Sequence, residues 1–136
     1  MDEWVIKSEK EVKLTFHSRR FKADGWLDSY CITATARNFS AEIEVENPPY
    51  GLSPAEFFVS LAKEWSGWVG EKEWGAMEGE CSLSASCDSI GHITLVVELN
   101  PNPCPPCWFG SVSLIVEAGQ LEQLAHDAKV FFNEQT

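Results

Sequence analysis

The side chains in this chain best suited to chemistry are its cysteines, and their spacing decides what that chemistry is. Cys104-Pro105-Pro106-Cys107 is a CxxC pair. Such a pair becomes a redox site when its first thiol sits at a helix N-terminus, where the dipole favours the thiolate. Here the pair lies between two predicted strands, so that activation is missing. A structural zinc site takes four ligands, ordinarily two CxxC pairs. The other candidates, Cys81 and Cys87, are six apart, too far for a zinc knuckle. A strand meander could still gather all four, which leaves a zinc or thiol site on Cys81, Cys87, Cys104 and Cys107 as a remote alternative. The simplest reading is a rigid proline-rich hairpin whose cysteines act as small hydrophobes, with no metal and no cofactor. With Cys31 the total is five, so at least one is unpaired within a monomer.

The histidines are His17, His92 and His126, none in an HExxH or His-x-His setting. A Cys87–His92 dyad across a hairpin is the one nucleophilic arrangement the spacing allows, and both residues read better as strand ends. No phosphate loop, GxGxxG or GxSxG occurs. Glu42, Glu44 and Glu46 alternate along a predicted strand, and Glu71 and Glu73 follow later. Metal binding or acid–base catalysis needs carboxylates that converge. A spacing of two on a strand gives a flat solvated row instead. The chain therefore reads as a non-enzyme with no catalytic residues.

Tryptophan is the remaining candidate for recognition. Trp65, Trp68 and Trp74 fall within Trp-Ser-Gly-Trp-Val-Gly-Glu-Lys-Glu-Trp. An exposed Trp is often an interface anchor. Trp68 or Trp74, if exposed beside Glu71 and Glu73, would mark a surface for a basic partner. Otherwise these rings close the core where helix meets sheet.

Charge narrows the partner. The formal net charge is −11 over 136 residues. Residues 1–37 carry seven Lys or Arg against six acids, and residues 38–136 carry only three Lys against fifteen acids. That surface repels phosphate backbones and anionic lipids, which disfavours nucleic acid and membranes and favours a basic protein. Apolar runs fall far short of the ~20 residues that span a bilayer. Met1-Asp2-Glu3 is acidic where a signal peptide is basic, which predicts a cytoplasmic protein with reduced thiols.

These residues are positioned mainly by period-two segments. Phe39, Ala41, Ile43 and Val45 face inward while Ser40, Glu42, Glu44 and Glu46 face out, the cleanest half-buried strand in the chain. Val12–Phe16 and Tyr30–Ala36 alternate similarly, with Asn38 as a turn residue. Ser53-Pro54-Ala55-Glu56 opens a helix, with Ser53 as cap and Pro54 at the first position. Phe57, Phe58, Leu61, Ala62 and Trp65 form its buried stripe, and Gly67 is its expected end. Three strands follow around Cys81–Cys87, Ile93–Leu99 and Val112–Val116, then a helix from about Gln120 with Leu121, Leu124, Ala125, Ala128, Phe131 and Phe132 as its apolar face. The expectation is one α+β domain over 1–136. It is built from an antiparallel sheet of about six to seven strands with two helices packed on it, ordered roughly ββββ-α-βββ-α.

Gly51-Leu52, the Phe57-Phe58 pair, Gly67-Trp68-x-Gly70-x-x-x-Trp74, Glu78-Gly79 and Gly91-His92-Ile93 resemble, in that order, a family of short bacterial proteins filed as a domain of unknown function. The resemblance covers about residues 50–134. It implies no activity and carries no catalytic residue. Small acidic α+β proteins of this appearance are also similar to the immunity proteins of toxin–immunity systems. The leading expectation is thus a non-enzymatic protein-binding domain, an immunity protein for a basic toxin, using Glu42, Glu44, Glu46, Trp68, Glu71, Glu73 and Trp74. The alternative is a small self-assembling domain that pairs strand edges as a homodimer.

Overall fold

A computed structural model describes residues 1–8 and 11–132. Lys10, one of the seven cations before residue 38, lies outside the described residues.

The described chain forms eight strands and two helices: β1 (Trp4–Lys7), β2 (Lys13–Phe21), β3 (Leu27–Ala36), β4 (Phe39–Glu46), α1 (Pro54–Lys63), β5 (Lys72–Gly75), β6 (Cys81–Cys87), β7 (His92–Leu99), β8 (Gly110–Glu117) and α2 (Leu121–Phe131). The class is α+β as expected. The single sheet is a correction: the strands form two antiparallel sheets of four, β1-β2-β3-β4 and β5-β6-β7-β8. Each sheet is a plain meander. The segment between β4 and β5 holds α1, and the chain starts a new sheet after it instead of extending the first. β5 is also an addition to the expected order. It is only four residues long, and its half-buried and exposed positions alternate without any fully buried side chain.

The alternation governs both sheets. Along β7, Ile93, Leu95, Val97 and Leu99 are buried while the residues between them are not. β8 repeats the pattern with Val112, Leu114 and Val116. β3 touches β8 and β4 touches β7, and the inner faces of the two sheets share one continuous core with both helices. Trp4, Phe16, Tyr30, Phe58, Phe131 and Phe132 pack there as a ring cluster, with Trp4 stacked on Phe16 at 4.7 Å between centroids. Each such side chain, fully buried, contributes roughly 1.5–3 kcal/mol.

The helices pack against each other, α1 also touching β5 and α2 touching β1. Ser53 caps α1 by accepting the Ala55 N–H at 3.3 Å, and Pro54 occupies the first turn. α1 stops at Lys63, capped at Glu64, earlier than the expected Gly67. Gly67 instead closes a turn, its N–H donating to the Glu64 carbonyl at 2.8 Å with φ +122°. Trp65 therefore leaves the helical stripe, and the structure places it on the surface, 66% exposed. No helix among the described residues is long and apolar enough to cross a membrane.

Candidate functional site

The acidic row on β4 is held by its register with β3. Arg37 and Asn38 make the connecting turn, Asn38 in the left-handed region at φ +60°, where Asn is tolerated. That turn sets Thr33 opposite Glu42, Cys31 opposite Glu44 and Ser29 opposite Glu46. Glu42 accepts the Thr33 hydroxyl proton at 2.8 Å and lies 3.2 Å from His17 Nε2. Burial, with Glu42 and Glu44 beside it, pushes the Cys31 thiol up from its ordinary value, so Cys31 is a poor nucleophile at neutral pH.

Glu46 is the centre of a denser group. Its backbone N–H donates to Glu80 Oε2 at 3.1 Å. Glu80 is buried, and its Oε1 meets no hydrogen-bond partner among the described residues. The Asn47 N–H donates to the Asp28 carbonyl at 2.9 Å, which keeps the end of β4 beside the start of β3. Burial, then Asp28, Glu44, Glu80 and Glu78, raise the Glu46 carboxyl above the usual carboxylate range. The nearby cation Lys22 is 3.7 Å from Asp28, both side chains about half exposed. Partial burial and neighbouring like charges favour a proton on the Glu46 carboxyl.

The acidic site is therefore partly the expected one. Glu44 and Glu46 belong to it and Glu42 extends it along β4. The carboxylates that act on Glu46 are Asp28, Glu44, Glu78 and Glu80, and Glu71 and Glu73 are not among them. Glu73 is exposed on β5 in the other sheet, and Glu71 is exposed just before it. Asp28, Glu78 and Glu80 escaped sequence reasoning because they come from two segments distant from β4 in sequence, the start of β3 and the β5–β6 link. Glu80 is buried in the link, immediately before β6.

The tryptophans part company in the same way. Trp68 is half-buried and packs on the core, its indole N–H donating to the Ala85 carbonyl at 3.1 Å. Its backbone N–H and carbonyl both engage the Cys87 thiol, at 3.2 and 3.3 Å. Trp74 is half-buried too, its indole N–H donating to the Leu52 carbonyl at 2.7 Å. Neither is an exposed anchor. Lys72 lies over the Trp68 ring at 5.9 Å, pairs with Glu64 and donates to Ser60 Oγ.

The remaining candidates separate. Cys104 and Cys107 are joined as a disulfide with Cα atoms 4.9 Å apart, where free thiols were expected. That separation is within ordinary disulfide reach. Cys81 and Cys87 stand at the two ends of β6, about 20 Å apart at ~3.3 Å rise per residue. The four sulfurs do not share one site. His92 turns to carboxylates, not to Cys87: its Nδ1 is 3.1 Å from Asp88 Oδ2 and its Nε2 is 3.4 Å from Glu117. The His92 backbone N–H, with that of Ile90, lowers the Asp88 carboxyl below its ordinary range.

A family model described as a family of unknown function (DUF6228) matches residues 5–135, and the chain belongs to that family. The match takes in the first 50 residues, beyond the stretch that carried the resemblance. No match is found among curated proteins.

Proposed function

We propose that this member of a family of unknown function is a non-enzymatic protein-binding domain that receives a basic partner around Glu46, as an immunity protein receives a toxin. One arrangement carries the reading: at the end of the β4 glutamate row the Glu46 N–H donates to the buried Glu80, and burial, then Asp28, Glu44, Glu80 and Glu78, favour a proton on the Glu46 carboxyl. The isolated chain holds repulsion there that an Arg or Lys from a partner would relieve. Outside the cluster, the exposed Glu42 continues the same charge along β4 and would steer the encounter.

The test is co-expression with the product of an adjacent gene, scored by co-purification, for wild type and the double reversal Glu44→Lys/Glu46→Lys. Loss of a stoichiometric complex in the reversal is expected. A complex that forms equally well with both proteins would sink the proposal. The self-assembly reading has the edge strands β1, β4, β5 and β8 in its favour. Pairing β4 with its own copy would bring glutamate rows together, which charge opposes. Sedimentation across a hundredfold concentration range checks it, and a monomer throughout ends it.

A further inference from the structure

A groove of about 1160 Å³ runs between α1 and α2, somewhat above the ~300–1,000 Å³ typical of small-ligand sites. Its walls include Trp65, Val59 and Val130 as apolar surface, with Lys63, His126 and Lys129 as the basic side chains. Trp65 is 66% exposed and Val130 42% exposed, so the apolar wall is open to a ligand.

Charge says what that ligand is. Residues 38–136 contain three lysines, Lys63, Lys72 and Lys129. Lys72 is committed to Glu64 and Ser60. The other two both line this groove, and neither joins an ion pair among the described residues. Glu122 is the one acid of the lining and precedes Lys129 by two turns on α2, so the groove has an acidic and a basic end. An anion's headgroup belongs at Lys129. Its apolar body belongs against the Trp65 ring, where a flat or chain-like group covers exposed surface. A large polyanion is disfavoured, because the chain as a whole carries −11 and repels it in proportion to its charge. The same repulsion weighs against a second copy of this chain.

We propose that the α1–α2 groove is a binding site for a small amphipathic anion, an aromatic or aliphatic monocarboxylate or its sulfonate analogue. It is separate from the basic-partner surface around Glu46 and does not depend on it.

The probe is 1-anilinonaphthalene-8-sulfonate, read by fluorescence on the full chain, with uncharged N-phenyl-1-naphthylamine as its neutral counterpart and octanoate as competitor. Saturable one-to-one binding of the sulfonate is expected, with displacement by octanoate. Lys129→Glu or Lys63→Glu should each weaken it roughly tenfold while leaving the neutral probe unchanged. Trp65→Ala should weaken both probes. Lys63 and Trp65 are exposed and Lys129 is half-buried, and thermal midpoints near wild type establish that the variants are folded. The proposal is overturned if the lysine reversals leave sulfonate binding unchanged, or weaken both probes alike. Displacement by poly-L-glutamate but not by octanoate would reassign the groove to an acidic protein segment and overturn it. A dimer abolished by Trp65→Ala would do the same in favour of a second copy.

Discussion

The Glu46 cluster and the α1–α2 groove are opposite in charge and also in construction. The cluster is built on backbone: strand register and the Glu46-to-Glu80 hydrogen bond hold carboxylates from β3, β4 and the β5–β6 link close together. The groove is built from side chains on two packed helices, with its lysines unpaired among the described residues and its indole in solvent. In the first, five carboxylates meet one cation, Lys22 beside Asp28. In the second, apolar surface lacks a cover. Each deficiency is what a ligand of a particular kind would correct, and under the two proposals one small chain would offer two surfaces to dissimilar partners.

The sharpest break in this comparison lies between two tryptophans three residues apart. Trp68 supports the scaffold and Trp65 belongs to the groove. Trp68→Ala removes a half-buried ring, leaves a void against β6 and abandons the Ala85 carbonyl. A loss of about 2–4 kcal/mol is expected in urea unfolding. A loss under about 1 kcal/mol would mean that Trp68 is not part of the scaffold.

The cluster's support is tested next. Glu80→Leu deprives the Glu46 N–H of its acceptor and should cost about 1–3 kcal/mol. Glu80→Gln keeps an acceptor oxygen while removing one of the charges that crowd Glu46. It should match or exceed wild type in stability, and it should bring the Glu46 carboxyl back toward its ordinary range in an NMR titration. If Gln is as damaging as Leu, the charge on Glu80 is needed and the crowding argument is wrong.

Titration gives Glu46 and Asp88 opposite signatures. The Glu46 carboxyl is raised in the folded chain, so it contributes stability below the ordinary carboxylate value and loses that contribution as pH rises through its folded value. Asp88 is lowered, so its contribution is present above the ordinary value and is lost as pH falls. Stability measured from mildly acidic to neutral pH should therefore fall less in Glu46→Gln than in wild type. Asp88→Asn should remove a decline seen on the acid side. Added salt should raise the wild-type midpoint and raise that of Glu46→Gln less, because screening relieves like-charge crowding. Identical salt responses would remove the cluster from consideration as a strained surface.

How far these surfaces were legible in the sequence follows from how local their causes are. The β4 row was legible because alternation is a nearest-neighbour property, and Glu42, Glu44 and Glu46 share one strand. The cluster around Glu46 was not, because Asp28 reaches it from the neighbouring strand β3 and Glu78 and Glu80 from the link before β6 in the other sheet, contacts that no local pattern encodes. The division into two sheets escaped for the same reason, and β5 because four residues with no fully buried position carry no alternation to read. Trp65 was misplaced by extrapolating the Phe58–Leu61 stripe one turn further than the helix runs. Its exposure follows from the stop at Lys63 and the Glu64 cap.

That stop leads to the smallest effect and the most direct test of the groove. If Trp65 contributed to the core as its spacing suggested, Trp65→Ala would cost as much as Trp68→Ala. It is 66% exposed, so the substitution should change unfolding free energy by no more than about 0.5 kcal/mol. A ring so exposed also emits as a solvated indole, and its removal should shift the averaged tryptophan emission to shorter wavelength, since Trp4 is buried, Trp68, Trp74 and Trp108 are half-buried, and Trp26 at 39% is less exposed than Trp65. A stability loss comparable to that of Trp68→Ala, or no blue shift, would place Trp65 in the core. The groove would then lose its apolar wall, while the acidic surface around Glu46 would be untouched.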